Sequence, residues 1–162
     1  RFHSTLLDDV AALDTVLFFH NNSYWLITTQ ADPVSGVAED VYFYYSDNPF
    51  GPWKQHCQSP AISDIRFCRS AGKPFYRLGK LTWPSQNCAE RYGHSLGFVE
   101  FELLDQNKII ISNFSASKLV TSWRHWGNHT WNTSSKFIVT DFAIKQPRFV
   151  RRLLSITNNF FS

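Results

Sequence analysis

The sequence predicts an all-β fold built from antiparallel, blade-like units of the β-propeller kind. Three observations predict it. The segment Leu13 to His56 reads as an apolar strand, a tight polar turn, an aromatic strand, a loop, a third strand and a Gly-Pro-Trp corner. Aromatic residues make up 17% of the 162 residues, and flat rings suit a pleated face better than a helix. Similar units then recur at a spacing of roughly 40–60 residues, as in repeat-built all-β folds.

Each element has its own warrant. Val16–Phe19 is a short apolar run, and His20-Asn21-Asn22-Ser23 is turn chemistry because Asn tolerates left-handed dihedrals. Tyr24–Thr29 returns as the second strand of a hairpin. The loop from Gln30 to Asp40 carries Pro33 and Gly36 and has no periodicity. Val41–Tyr45 is a third strand, and Trp53–His56 an outer edge strand beyond a proline-rich corner. A second unit opens with the hairpin Gly72–Leu78, Leu78-Gly79-Lys80, Leu81–Ser85. In Ser95–Leu103, Leu96, Phe98, Glu100 and Glu102 fall on one face and Gly97, Val99, Phe101 and Leu103 on the other. Asn107–Asn113 closes that unit, and a third begins near His129. The units span about residues 13–57, 67–114 and 127–146 of a single partial domain. Only Leu119–Trp126 and the run from Arg148 to Ile156 have weak helical character. Three units do not close a ring, and the chain begins at Arg1 with no methionine anywhere, so a fragment of a longer protein is expected.

Composition narrows the function. A hydrophobic content of 43% excludes a disordered tail. The net charge of +3 comes from scattered basic residues, with one cluster at Arg148, Arg151 and Arg152 that reads as a solvated face. No nucleic-acid motif accompanies it, so no nucleic-acid partner is expected. No apolar run approaches the ~20 residues that span a bilayer, so any membrane tether is expected outside this segment. Four sequons, at Asn21, Asn113, Asn128 and Asn132, point to the secretory pathway, on a Golgi, lumenal or extracellular face. That compartment permits one disulfide among Cys57, Cys68 and Cys88; Cys57 and Cys68 are closest in sequence, but nothing fixes the choice. Their spacing fits no zinc pattern, and no glycine-rich phosphate loop is present, so neither metal nor cofactor is expected.

The middle of the chain carries a more specific pattern. Its blocks are Gly51-Pro52-Trp53, Ser59-Pro60-Ala61 with Asp64, Cys68-Arg69-Ser70-Ala71-Gly72, Trp83-Pro84-Ser85-Gln86-Asn87, Arg91-Tyr92-Gly93, and Gly127-x-His129-Thr130-x-Asn132 before Asp141. In order and spacing, from Leu13 to Asp141, these resemble the N-terminal domain of glucosamine inositolphosphorylceramide transferases. That family is similar to the five-bladed propellers of glycoside hydrolase families 32, 43 and 68. The resemblance implies a carbohydrate-related domain accessory to sugar transfer onto a sphingolipid or glycan, with a glycan or glycolipid headgroup as its partner. A separate exostosin-like domain is expected to carry the transfer itself. Two departures stand out: Asn87 replaces a family aspartate, and Ser70 a family proline.

Glycoside hydrolysis is the alternative, and it needs two carboxylates, ~5–5.5 Å apart for retention or ~6.5–9.5 Å apart for inversion, one of them held protonated. Asp14 and Asp64 are the candidate catalytic acids, with Glu90 and Asp141 as further carboxylates. Asp14 resembles the "D-P-x-x-F" aspartate of the hydrolase propellers, with Thr15 in place of the proline; capping its strand is the competing reading. Asp64 has Arg66 and Arg69 close in sequence, and an ion pair is the plainer account. Arg69, Gln86, Tyr92, His129 and Asp141 are the candidate substrate-binding residues. Arg offers a planar donor fork and Tyr a ring face with a hydroxyl. His129 has the competing role of a buried histidine satisfied by backbone. Trp83, Trp126 and Trp131 would either stack on sugar rings or wedge between units. A protein-interaction propeller is the third reading.

Overall fold

The computed structural model describes residues 4–117 and 125–145. Among these there are fourteen β-strands and no helix. The fold is all-β, with antiparallel sheets throughout. The Arg148, Arg151 and Arg152 cluster and the proposed helical run to Ile156 lie outside the described residues, as does most of Leu119–Trp126; the end of that stretch is strand, His125–Gly127.

The first sheet orders β1 (Ala12–His20), β2 (Ser23–Gln30), β3 (Asp40–Ser46) and β4 (Lys54–Gln55), with β5 (Ile62–Ser63) also on β3. The β1–β2 turn places Asn21 and Asn22 at φ of 47° and 58°. Two left-handed residues match the twist of a two-residue hairpin, and Asn accepts that conformation at low cost. The ladder is interrupted once. Leu13 pairs with Thr29 and Val16 with Ile27, so Asp14 and Thr15 together face Thr28, a β-bulge with Asp14 at φ 49°.

The second sheet orders β10 (Ile109–Ser117), β9 (Ser95–Leu104), β8 (Lys80–Asn87) and β6 (Arg69–Ser70), with β7 (Phe75–Arg77) also on β8. Its β7–β8 turn again uses two left-handed residues, Leu78 and Gly79. The third unit holds two short ladders, β11 (His125–Gly127) with β14 (Ala143–Ile144), and β12 (Trp131–Thr133) with β13 (Ile138–Thr140).

The main core lies between the two larger sheets. Trp25, Ile27, Val41 and Phe43 from the first pack with Leu81, Trp83, Val99 and Phe101 from the second. Phe43 meets Phe101 edge-on, with ring centroids 5.9 Å apart. Strand β9 is buried on both faces over its first half. Val99 and Phe101 face the main core, while Leu96 and Phe98 pack with Ala71, Phe75 and Trp131 in a smaller one. The alternation found the two faces of β9 but not that both are covered.

His56 is a buried polar group with both ring nitrogens engaged. Gln58 N–H donates to Nδ1 at 3.1 Å, and Nε2–H donates to the Asp105 carbonyl at 3.1 Å. Burial therefore holds its pKa below the ordinary value. All three cysteines are free thiols. Cys57 is exposed beside the Asn107 carbonyl and Cys68 is in the main core, so the pair closest in sequence is not joined.

Candidate functional site

The site forms where the second sheet meets the third unit, with β1 alongside. Two close backbone approaches set this junction. A Cβ on Gly72 would lie 2.0 Å from the Trp131 carbonyl oxygen, and one on Gly127 would lie 2.0 Å from that of Gly93. Trp131 N–H donates to the Ala71 carbonyl at 2.8 Å. Glycine is required at positions 72 and 127 because the backbones touch there. Gly93, at φ 67°, also turns the chain after Tyr92. The blocks Cys68–Gly72, Arg91–Gly93 and Gly127–Asn132 are thus brought to one place by their glycines.

Five of the residues singled out from the sequence make a continuous line. Arg69 Nε donates to Asp14 Oδ2 at 2.7 Å. The same guanidinium sits 5.5 Å from the centroid of the Tyr92 ring, within cation–π range. Tyr92 meets the His129 ring edge-on at 5.7 Å. His129 Nδ1 is paired with Asp141 Oδ2. Strand β6 supplies Arg69, the bulge in β1 supplies Asp14, and the third unit supplies His129 and Asp141.

Asp141 is held by its own loop. Its Oδ1 accepts from His129 N–H at 2.9 Å, Thr130 N–H at 2.8 Å and the Thr130 hydroxyl at 2.9 Å. Burial works to raise its pKa, but these donors and His129 outweigh it and hold the carboxyl below the usual range. Nδ1–H of His129 points at this carboxylate, which leaves Nε2 as the remaining polar atom of the ring.

A cavity of about 170 Å³ adjoins the line, lined by Tyr92, Trp126, Asn128, His129 and Asp141 among others. Trp126 is met by two cations: the Arg91 guanidinium lies 4.1 Å and the Lys145 ammonium 4.2 Å from its ring centroid. The Trp126 ring is thus already in contact with two cations while still lining the cavity. Trp83 and Trp131 are wedges: Trp83 is fully buried with Nε1–H on Ser70 Oγ at 3.0 Å, and Trp131 meets Phe98 edge-on.

The other candidates fall elsewhere. Gln86 is buried behind Arg69, its cross-strand partner, and donates to the Ser70 carbonyl at 2.7 Å. It is a strut for β6 rather than a group offered to a ligand. Asp64 is engaged by Arg66, at 2.6 Å, and not by Arg69. That pair lowers its pKa, through the Arg66 hydrogen bonds first. A glycosidase acid has to be shifted upward; the displaced carboxyls here, Asp32, Asp64, Asp105 and Asp141, all move down. Asp14 and Asp64 thus have separate cationic partners. Asn87, where the family carries an acid, accepts from Ala89 N–H at 3.1 Å and closes the turn after β8.

Of the sequon asparagines, Asn21, Asn113 and Asn132 are exposed. Asn128 is 1% exposed and its amide has no hydrogen-bond partner. Folded chain closes that position to a glycan, which corrects the reading of Asn128 as a surface sequon. Asn128 directly follows Gly127, where the backbone approaches that of Gly93.

Comparison with known proteins agrees with this arrangement of blocks. The family model described as "Glucosamine inositolphosphorylceramide transferase 1, N-terminal" matches residues 2–150. Glucosamine inositolphosphorylceramide transferase 1 of Arabidopsis thaliana is 27% identical over 99 residues, covering 59% of this chain and 13% of the relative. The protein of the same name from Oryza sativa subsp. japonica is 26% identical over 107 residues, covering 64% of this chain and 14% of the relative. The chain thus spans a small part of the curated relatives it matches. No solved structure matches. Since the family model covers nearly the whole sequence, the chain belongs to the glucosamine inositolphosphorylceramide transferase 1 N-terminal domain family.

Proposed function

We propose that this is a carbohydrate-headgroup-binding domain, accessory to sugar transfer onto a sphingolipid or glycan in a transferase-type protein, with its sheets arranged as blades of a propeller. One observation carries the reading. Asp14, Arg69, Tyr92, His129 and Asp141, drawn from three separate parts of the chain, form one line beside a cavity. Arg69 has donors beyond the one used by Asp14, Tyr92 offers an exposed ring and hydroxyl, and His129 offers Nε2. Such groups suit a polyhydroxylated ring or a phosphate. A binding role fits the site better than hydrolysis, because Asp14 is engaged by Arg69 and Asp141 by the His129–Thr130 loop, rather than poised as a proton donor and a nucleophile.

The exposed sequons at Asn21, Asn113 and Asn132 support a lumenal or extracellular setting for this role. The test is a titration of the isotope-labelled chain with myo-inositol 1-phosphate and with glucosamine. The reading expects saturable chemical-shift changes at Tyr92 and His129 that Arg69→Met removes. Shifts absent at these residues with both probes, in a folded protein, would overturn it.

A further inference from the structure

The function leaves two thiols unused, and they lie together against the site. Strand β6 begins at Arg69, which pairs with Gln86 of β8. Cys68 immediately precedes that pair on one strand, and Cys88 follows just beyond it on the other. Both residues converge on one backbone carbonyl. Ile65 C=O accepts the Cys88 N–H at 3.1 Å and lies 3.6 Å from Cys68 Sγ. Cys88 also acts on Cys68 through space: burial first and Cys88 next raise the pKa of Cys68, to about 12. Arg69 acts on both sulfurs and Asp14 on that of Cys88. Cys57 stands apart beside Asn107.

We propose that Cys68 and Cys88 are a dithiol that closes to a disulfide, tying the loop that carries Tyr92 to the strand that carries Arg69. The oxidant is a small-molecule disulfide such as oxidised glutathione. Cys88, half-buried where Cys68 is 1% exposed, reacts first. Its thiol gives a proton to solvent, and the thiolate attacks one sulfur of the oxidant. A mixed disulfide forms and one glutathione thiolate leaves. Cys68 then loses its proton, attacks the Cys88 sulfur and releases the second glutathione. Two electrons pass from the protein dithiol to the glutathione disulfide, which ends as two thiols. High thiol pKa values make each attack slow near neutrality, so closure is expected over hours rather than seconds. The product is neutral, and its burial carries no cost of hiding a thiolate.

The bond would close the segment containing β6, β7 and β8 into a loop. Such closure raises the melting temperature of a domain this size by on the order of 10 °C. The experiment treats the whole chain with oxidised glutathione, alkylates the remaining thiols, and maps peptides without reduction. The expected result is a peptide linking Cys68 to Cys88, alkylation at Cys57, and a rise in melting temperature that a reductant reverses. Cys57→Ser should keep both effects, and Cys88→Ser should lose both. Full alkylation of all three cysteines after prolonged oxidation, or a link that uses Cys57, overturns the proposal. The mapping is done on the unsubstituted chain, so a folding defect in a variant does not affect it. The outcome is also independent of whether the site binds a sugar.

Discussion

Gly127→Ala is the most direct test of how the site is assembled. The added methyl would lie 2.0 Å from the Gly93 carbonyl oxygen, 3.1 Å from its carbon and 3.2 Å from the His94 carbonyl oxygen. All three obstacles are backbone, so no side-chain rotation makes room. The third unit would have to retreat by more than an ångström, and the line from Arg69 through Tyr92 to His129 would open. Overpacking of this kind costs ~1–3 kcal/mol, and a rigid obstacle belongs at the upper end, about 3 kcal/mol. For a domain of this size ~1 kcal/mol corresponds to ~2–4 °C, so the melting temperature should fall by ~6–12 °C. Thermal unfolding followed by circular dichroism reads the shift, and urea unfolding should give a lower midpoint with an unchanged slope. A variant melting within a degree of the parent would refute the claim that these two backbones are in contact. A variant that loses stability yet keeps its ligand shifts at His129 would refute the claim that the contact positions the site.

Three other outcomes are expected. A double-mutant cycle of Asp14→Asn and Arg69→Met should return a coupling of about 0.5–1 kcal/mol that shrinks with added salt, since the pair is only partly buried; zero coupling at low salt would mean the pair contributes nothing. His20 and His56 have folded-state pKa values below 6.5, in each case chiefly through burial, so the unfolded chain takes up their protons first as pH falls. Their contribution to stability is whole above about pH 6.5 and declines below it, by up to ~1.4 kcal/mol per pH unit for each group; a urea midpoint constant from pH 8 to 5 would contradict this. Asp64→Asn should leave both melting temperature and ligand shifts unchanged, because its partner Arg66 is largely exposed and the pair stands outside the site; loss of the ligand shifts would return Asp64 to the site.

The strands were legible because a pleat alternates and because Asn and Gly mark left-handed turns. Val16–Phe19, Tyr24–Thr29 and Val41–Tyr45 lie within β1, β2 and β3 for that reason. Alternation gives a residue its face but not its neighbour. It separated Leu96 and Phe98 from Val99 and Phe101, yet could not say that Trp131 would cover the first pair. The site was half legible. Arg69, Tyr92 and His129 stood in blocks whose order was recognisable, whereas the Arg69–Asp14 pair joins residues 55 apart and has no local signal. Asn128 was misplaced because a sequon is defined by three adjacent residue types, and burial by atoms far along the chain. The signal that would have corrected it was the glycine before it. His56 and the Cys68–Cys88 proximity were missed, since a lone polar residue at a strand end looks the same whether it meets solvent or another sheet.

The bulge in β1 has one more consequence. Two residues, Asp14 and Thr15, occupy the space opposite Thr28. Above them Leu13 keeps Thr29 as its partner, and below them Val16 keeps Ile27. A chain one residue shorter at this point would preserve both pairings and every strand face on either side. Arg69 would simply lose its counter-ion. The carboxylate is therefore a surplus residue in the ladder, and a single-codon insertion or deletion switches it on or off without re-registering the sheet. Within such a family, the presence of the acid and the integrity of the fold are separately heritable traits.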